Sequence, residues 1–118
     1  MAAIVIVSPT PPDCSAFGVR SLQASLKAAG HDVRLLLCPG SIGLSQEDGS
    51  FVYRYPEAVV EQALELAAGA DLVGVSFFTN YFDRAVQLTA AVRERLGIPV
   101  VWGGVHATVR PVEALEHA

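Results

Sequence analysis

The chain has 118 residues, 52% of them hydrophobic and only 17% charged, with a formal net charge of −4. That length holds one domain, and that apolar content excludes a disordered tail. The acidic balance argues against a binder of nucleic-acid phosphates, which needs a surplus of Lys and Arg. Apolar runs such as Ile4–Val7 and Leu35–Cys38 are strand-sized, far short of the ~18 residues that cross a membrane. No basic stretch precedes the first of them, so a secretory signal is not expected.

Along the chain, Ala3–Ser8 (AIVIVS) is a β-branched run suited to a strand buried on both faces. Val19, Leu22, Leu26 and Ala29 follow a helical period, with Gly30 as its stop. A second strand, Asp32–Leu37, leads into an 18-residue connection, Cys38–Tyr55, longer than most strand-to-helix loops. Within it Asp48-Gly49 can turn a small hairpin; the whole segment reads as either a solvated insertion or a functional loop. Val60, Ala63, Leu64 and Ala67 make a second helix face closed by Gly69, and Asp71–Phe77 is a third strand. Asn80 with Asp83 three residues on resembles a capping box. It opens a helix whose face is Phe82, Ala85, Val86, Thr89, Val92 and Leu96, ending at Gly97 and Pro99. Pro99–Gly103 is the fourth strand, and Pro111 with Glu113 opens a last helix.

Strands alternating with helices imply right-handed crossovers and a parallel, three-layer α/β sheet. Doubly wound sheets have five or six strands, so the chain reads as a piece of a longer polypeptide. Cys14 and Cys38 form no metal-binding spacing and read as reduced thiols of a cytoplasmic protein. His31 and His117 read as solvated residues.

Ligands of such a sheet bind at the carboxyl ends of its strands, near the point where the strand order reverses. The loops there lack Gly-x-Gly-x-x-Gly, Gly-Lys-Ser/Thr and Gly-x-Ser-x-Gly, which excludes a dinucleotide fold, a P-loop hydrolase and a hydrolase elbow. Ser76 stands where a phosphorylatable receiver would carry its Asp. The loops instead offer hydroxyls (Ser76, Thr79), helix-start amides near Asn80, and Gly103-Gly104, where a bulky ligand can approach the main chain. The alternative for the glycine pair is a tight turn.

The stretch Val100–Leu115, with Gly103-Gly104-Val105-His106-Ala107-Thr108 followed by Pro111-Val112-Glu113-Ala114-Leu115, resembles the cobalamin-binding domain at the N-terminus of many radical S-adenosylmethionine enzymes. Asp71-Leu72-Val73-Gly74-Val75-Ser76 and the Ser-Pro-x-Pro opening from Ser8 fit the same family, so the resemblance spans the chain. It implies a flavodoxin-like sheet of order 2-1-3-4, with a fifth strand missing from this fragment. It also implies that the corrin lies across the carboxyl edge and that its nucleotide tail enters a slot. Ser76 and Thr79 would then contact the tail, Gly103-Gly104 form the wall, and Val105 and His106 lie beside tail or corrin. The third strand's neighbour Phe77 and the first-loop residues Ser8, Thr10 and Ser15 complete the candidate cofactor-binding set.

Two departures refine the expectation. The family's methyltransferase and mutase members carry a cobalt-ligating His in an Asp-x-His-x-x-Gly loop. Here the matching stretch Asp13–Gly18 has Ser15 in that place, so no histidine ligation is expected from this loop, and His106 reads as a hydrogen-bonding or helix-entry residue rather than a ligating one. Two distant cysteines also cannot hold an iron–sulfur cluster. The chain is thus expected to be a cobalamin-binding module, residues 1–118. S-adenosylmethionine and the 4Fe-4S cluster would belong to a following radical domain of a parent enzyme, with neither nucleic acid nor membrane as partner. The alternatives are the nucleotide-sugar half of a glycosyltransferase, suggested by Ala29-Gly30-His31-Asp32-Val33, and a flavin-binding relative.

Overall fold

A computed structural model describes residues 1–9, 17–38, 41–77, 81–103 and 110–117. In chain order the elements are β1 (Ala3–Ser8), α1 (Phe17–Ala28), β2 (Asp32–Leu37), β3 (Ile42–Ser45), β4 (Phe51–Arg54), α2 (Glu57–Ala67), β5 (Leu72–Ser76), α3 (Phe82–Arg95), β6 (Val100–Gly103) and α4 (Pro111–His117). Four strands form one sheet of order β2-β1-β5-β6, and every pairing in it is parallel. With β3 and β4 set aside as a separate antiparallel hairpin, this is the flavodoxin-like order 2-1-3-4 that was expected.

The chain leaves β1 first toward β2 and then, in the opposite direction, toward β5 and β6. Crossovers of one hand therefore place helices on opposite faces. Ile4, Ile6 and Val33 pack with Val19 and Leu26 of α1. On the other face Val5, Val7, Val73 and Val75 meet Val60, Leu64 and Ala67 of α2 and Ala85, Leu88, Ala91 and Val92 of α3. Alternation along each strand does this sorting. Of the expected α3 face, Ala85, Thr89 and Val92 are buried and Phe82 and Leu96 pack against the core, while Val86 is not part of the cluster; Leu88 and Ala91 join the buried face instead. Leu22 of α1, expected inside, is 47% exposed.

Gly30, Gly69 and Gly97 stand at the expected stops, all with positive φ. At the amino edge, Ala2 N–H donates to His31 Nδ1 at 3.0 Å and Ala3 N–H to Asp71 Oδ2 at 2.8 Å. His31 is therefore a structural acceptor in its Nε2–H tautomer.

The long connection after β2 folds as the hairpin anticipated from Asp48-Gly49. Gly49 adopts φ 87°, which a side chain strains. Asp48 Oδ1 accepts from Ser50 N–H at 3.0 Å and from Ser50 Oγ–H at 2.6 Å, which holds its carboxyl below the usual range. The base of the hairpin is closed by Tyr55, whose buried hydroxyl donates to the Cys38 carbonyl at 2.5 Å. Burial pushes the Tyr55 phenol well above its ordinary value, with the neighbouring Cys38 adding to the rise, and burial likewise pushes the Cys38 thiol up.

A phenol whose folded pKa is raised stabilises the fold below the ordinary tyrosine value of about 10 and loses that contribution as pH climbs beyond it. Tyr55→Phe is expected to lower the urea midpoint at pH 7 by the equivalent of about 1–2 kcal/mol. Above pH ~10 its stability should decline less steeply than that of the unsubstituted chain. Denaturation series at pH 7, 9 and 11 check both.

Candidate functional site at the carboxyl edge

Even-numbered residues of β1 and β5 point toward the α1 face, since Ile4, Ile6 and Leu72 belong to the cluster around Val19. In β6, Val100 and Trp102 pack on the α3 side, so Val101 and Gly103 share the α1 face by alternation. The pairing register then lays these residues out in rows. Ile6, Gly74 and Val101 stand side by side. One step toward the carboxyl edge, Ser76 pairs with Gly103, and continuing the β1–β5 register by one residue sets Ser8 beside Ser76.

The two halves of this face differ. Over β1 and β2 it is built of Ile4, Ile6, Val33, Leu35 and Leu37, packed with α1. Over β5 and β6 it carries Leu72, Gly74, Ser76, Val101 and Gly103, and Val101 is 54% exposed. Beyond Leu72, the described residues of these two strands put one valine and otherwise only hydrogens and a hydroxymethyl on this surface. Among the described residues, the result is a strip of small side chains along β5 and β6, a trough in outline, that runs to the carboxyl ends of the strands.

Among the described residues, nothing demands either strand glycine. A Cβ built at Gly74 meets only the Val101 carbonyl oxygen, at 4.0 Å, and one at Gly103 meets nothing within 4 Å; neither has positive φ. Glycine inside a strand costs stability, and among the described residues no packing or backbone conformation repays it. The trough is thus a cradle that side chains would fill.

The opposite face is closed at the same edge by aromatic packing. The Phe77 and Trp102 rings meet edge to face at 5.1 Å between centroids, and Phe82 meets Trp102 at 6.1 Å. Trp102 Nε1–H donates to Thr89 Oγ1 at 2.7 Å, which accounts for a threonine on the buried face of α3. Phe77 N–H donates to the Gly103 carbonyl at 3.3 Å, carrying the pairing to the end of the strands.

Of the expected cofactor-binding residues, Ser8, Ser76 and Gly103 come together in one row on the trough side. Phe77 is placed at the same edge, but its ring is 3% exposed and lies in the core on the other face. Thr10, Ser15, Thr79, Gly104, Val105 and His106 lie outside the described residues, as does Cys14. Gly74 was missed, although an interior glycine in the strand Asp71–Phe77 was its signal. Asn80 of the expected capping box lies outside the described residues; among the described ones, Tyr81 holds the N-cap position of α3 without a side-chain cap bond. Asp83 instead accepts from the Tyr53 amide of the hairpin at 3.3 Å. Among the described residues, no three His, Cys, Asp or Glu side chains gather to hold a metal ion, and no helix is long and apolar enough to cross a membrane.

Because both glycines have room for a methyl group, Gly74→Ala and Gly103→Ala are expected to leave thermal stability unchanged or to raise it by about 0.4–1 kcal/mol through the unfolded state. Calorimetric melting of the two variants checks this.

A protein-family model described as "B12 binding domain" matches residues 3–118. Comparison with curated proteins and with solved structures gave no match.

Proposed function

From the premise that the chain belongs to the B12-binding domain family, we propose that this cobalamin-binding module takes the cofactor's nucleotide tail into the trough over β5 and β6. The corrin would then lie across the carboxyl edge. The observation that carries this reading is the in-register row Ser8, Ser76 and Gly103 with Gly74 behind it, a strip bare of large side chains on glycines that the fold does not need. A broad, mostly uncharged ligand tail requires such a strip, whereas a bare phosphate requires amide donors or cations.

Each residue then has a task within binding. Gly74 and Gly103 admit the tail to the main chain, and the Ser76 hydroxyl exchanges hydrogen bonds with its polar groups, with buried Ser8 beside it in the row. Thr10, Thr79, Gly104, Val105 and His106 supply the rim in this reading. Ser15, in the place where relatives carry a ligating imidazole, leaves cobalt without a histidine from this chain. Cobalamin itself supplies methyl transfer or radical rearrangement. The run Gly103–Thr108 with Pro111–Leu115 favours a radical S-adenosylmethionine enzyme as parent. The S-adenosylmethionine and 4Fe-4S sites would lie in a domain following this one, in the cytoplasm.

The test is a titration of the chain with hydroxocobalamin, and separately with cobinamide, which lacks the nucleotide tail. Visible spectra and the emission of Trp102, the sole tryptophan, report binding. The expected spectrum shows the cofactor's own base displaced and no histidine nitrogen in its place. Gly74→Val should weaken cobalamin at least tenfold, about 1.4 kcal/mol, and leave cobinamide unchanged. Equal losses for both ligands would remove the tail from the trough. Binding of flavin mononucleotide or a uridine diphosphate sugar in place of cobalamin would favour one of the two rival modules.

A further inference from the structure

An arginine in the first turn of a helix opposes the helix dipole, whose positive end lies there. Arg84 occupies the third position of α3 and is only 9% exposed. Its guanidinium lies 4.2 Å from the ring centroid of Tyr81 and 4.8 Å from that of Tyr53 in β4, and Nη1 donates to Ser41 Oγ at 2.9 Å. Flat guanidinium faces stack on aromatic rings in a way an ammonium does not reproduce. On either side of this cage, Asp83 accepts from the Tyr53 amide at 3.3 Å. Gln87 brackets Tyr55, accepting from its amide at 2.8 Å and donating to its carbonyl at 3.0 Å. The hairpin is thereby fastened to α3 over a full helical turn.

That same turn carries Phe82, whose ring meets Trp102, the residue before Gly103. Contacts therefore run unbroken from hairpin to Arg84, from the first turn of α3 to Trp102, and so to the row of Ser76 and Gly103. We propose that Arg84 is a positioning residue for cofactor binding: caged by Tyr53 and Tyr81, it braces the hairpin against α3 and so, through Phe82 and Trp102, fixes the row of Ser76 and Gly103 without touching the ligand. This rests on the cobalamin reading above and adds to it a role for the hairpin.

The test compares hydroxocobalamin affinity and melting temperature for the full chain and its variants. Arg84→Met, which keeps an apolar stem and loses both charge and plane, is expected to weaken binding about tenfold, and Arg84→Lys by less. Leu64→Ala, in α2 and away from the rim, is expected to lower the melting temperature while leaving affinity intact. If Arg84→Met does not fold, Tyr53→Ala, which removes one wall of the cage, is expected to show the same tenfold loss. Unchanged affinity in Arg84→Met, or a loss in Leu64→Ala as large as in Arg84→Met, overturns the positioning role while cobalamin binding stands. Failure of the unsubstituted chain to bind hydroxocobalamin overturns both.

Discussion

Alternation along a parallel strand divides its side chains between two faces, and everything at the carboxyl edge follows from how unequally those faces are covered. On one face, the valines of β1 and β5 are sealed beneath α2 and α3. On the other, α1 packs with β1 and β2, while β5 and β6 present Gly74, Ser76, Val101 and Gly103. Burial of β-branched side chains on the first face stabilises the sheet, at roughly 25 cal/mol per Å² of apolar surface. That stability allows the second face to be thin. The strip of small side chains on the second face lies on the back of a well-packed core.

The edge itself is held by elements that do not face the trough. Phe77, Trp102 and Phe82 interlock on the α3 side, and the Trp102 indole is fixed by Thr89. The Phe77 ring thus serves the row by packing behind it. The hairpin lies outside the sheet, yet through Tyr53, Tyr55 and Arg84 it joins the same network. An insertion that lengthens one strand-to-helix connection has become a support for the start of the next helix but one.

A large cofactor differs from a small substrate in what it asks of a fold. Few charged or catalytic side chains are required; room and a defined outline are. The low charge of the chain, the neutral hydroxyls at the strand ends and two strand glycines without a packing reason agree on that demand. Membership of the B12-binding domain family gives the demand a chemical name.

Much of this was legible in local patterns. Apolar runs marked the four sheet strands, positive-φ glycines marked the helix stops, Asp48-Gly49 marked the hairpin turn, and Ser76 and Gly103 stood at strand ends where ligands bind. These depend on neighbours in sequence: a side-chain period, a turn's backbone angles, a strand's last residue. What the tertiary structure alone decided depends on neighbours across strands and layers. The face left thin was set by the order β2-β1-β5-β6, because the direction of each crossover chooses the side its helix covers. That Gly74 adjoins the row of Ser76 and Gly103, that Phe77 turns inward, and that Asp83 reaches the hairpin all followed from register and docking, which no local period encodes. Arg84 is the clearest case, since an arginine in a first turn reads as solvated until Tyr53 of the hairpin joins Tyr81 at the start of its own helix to close over it.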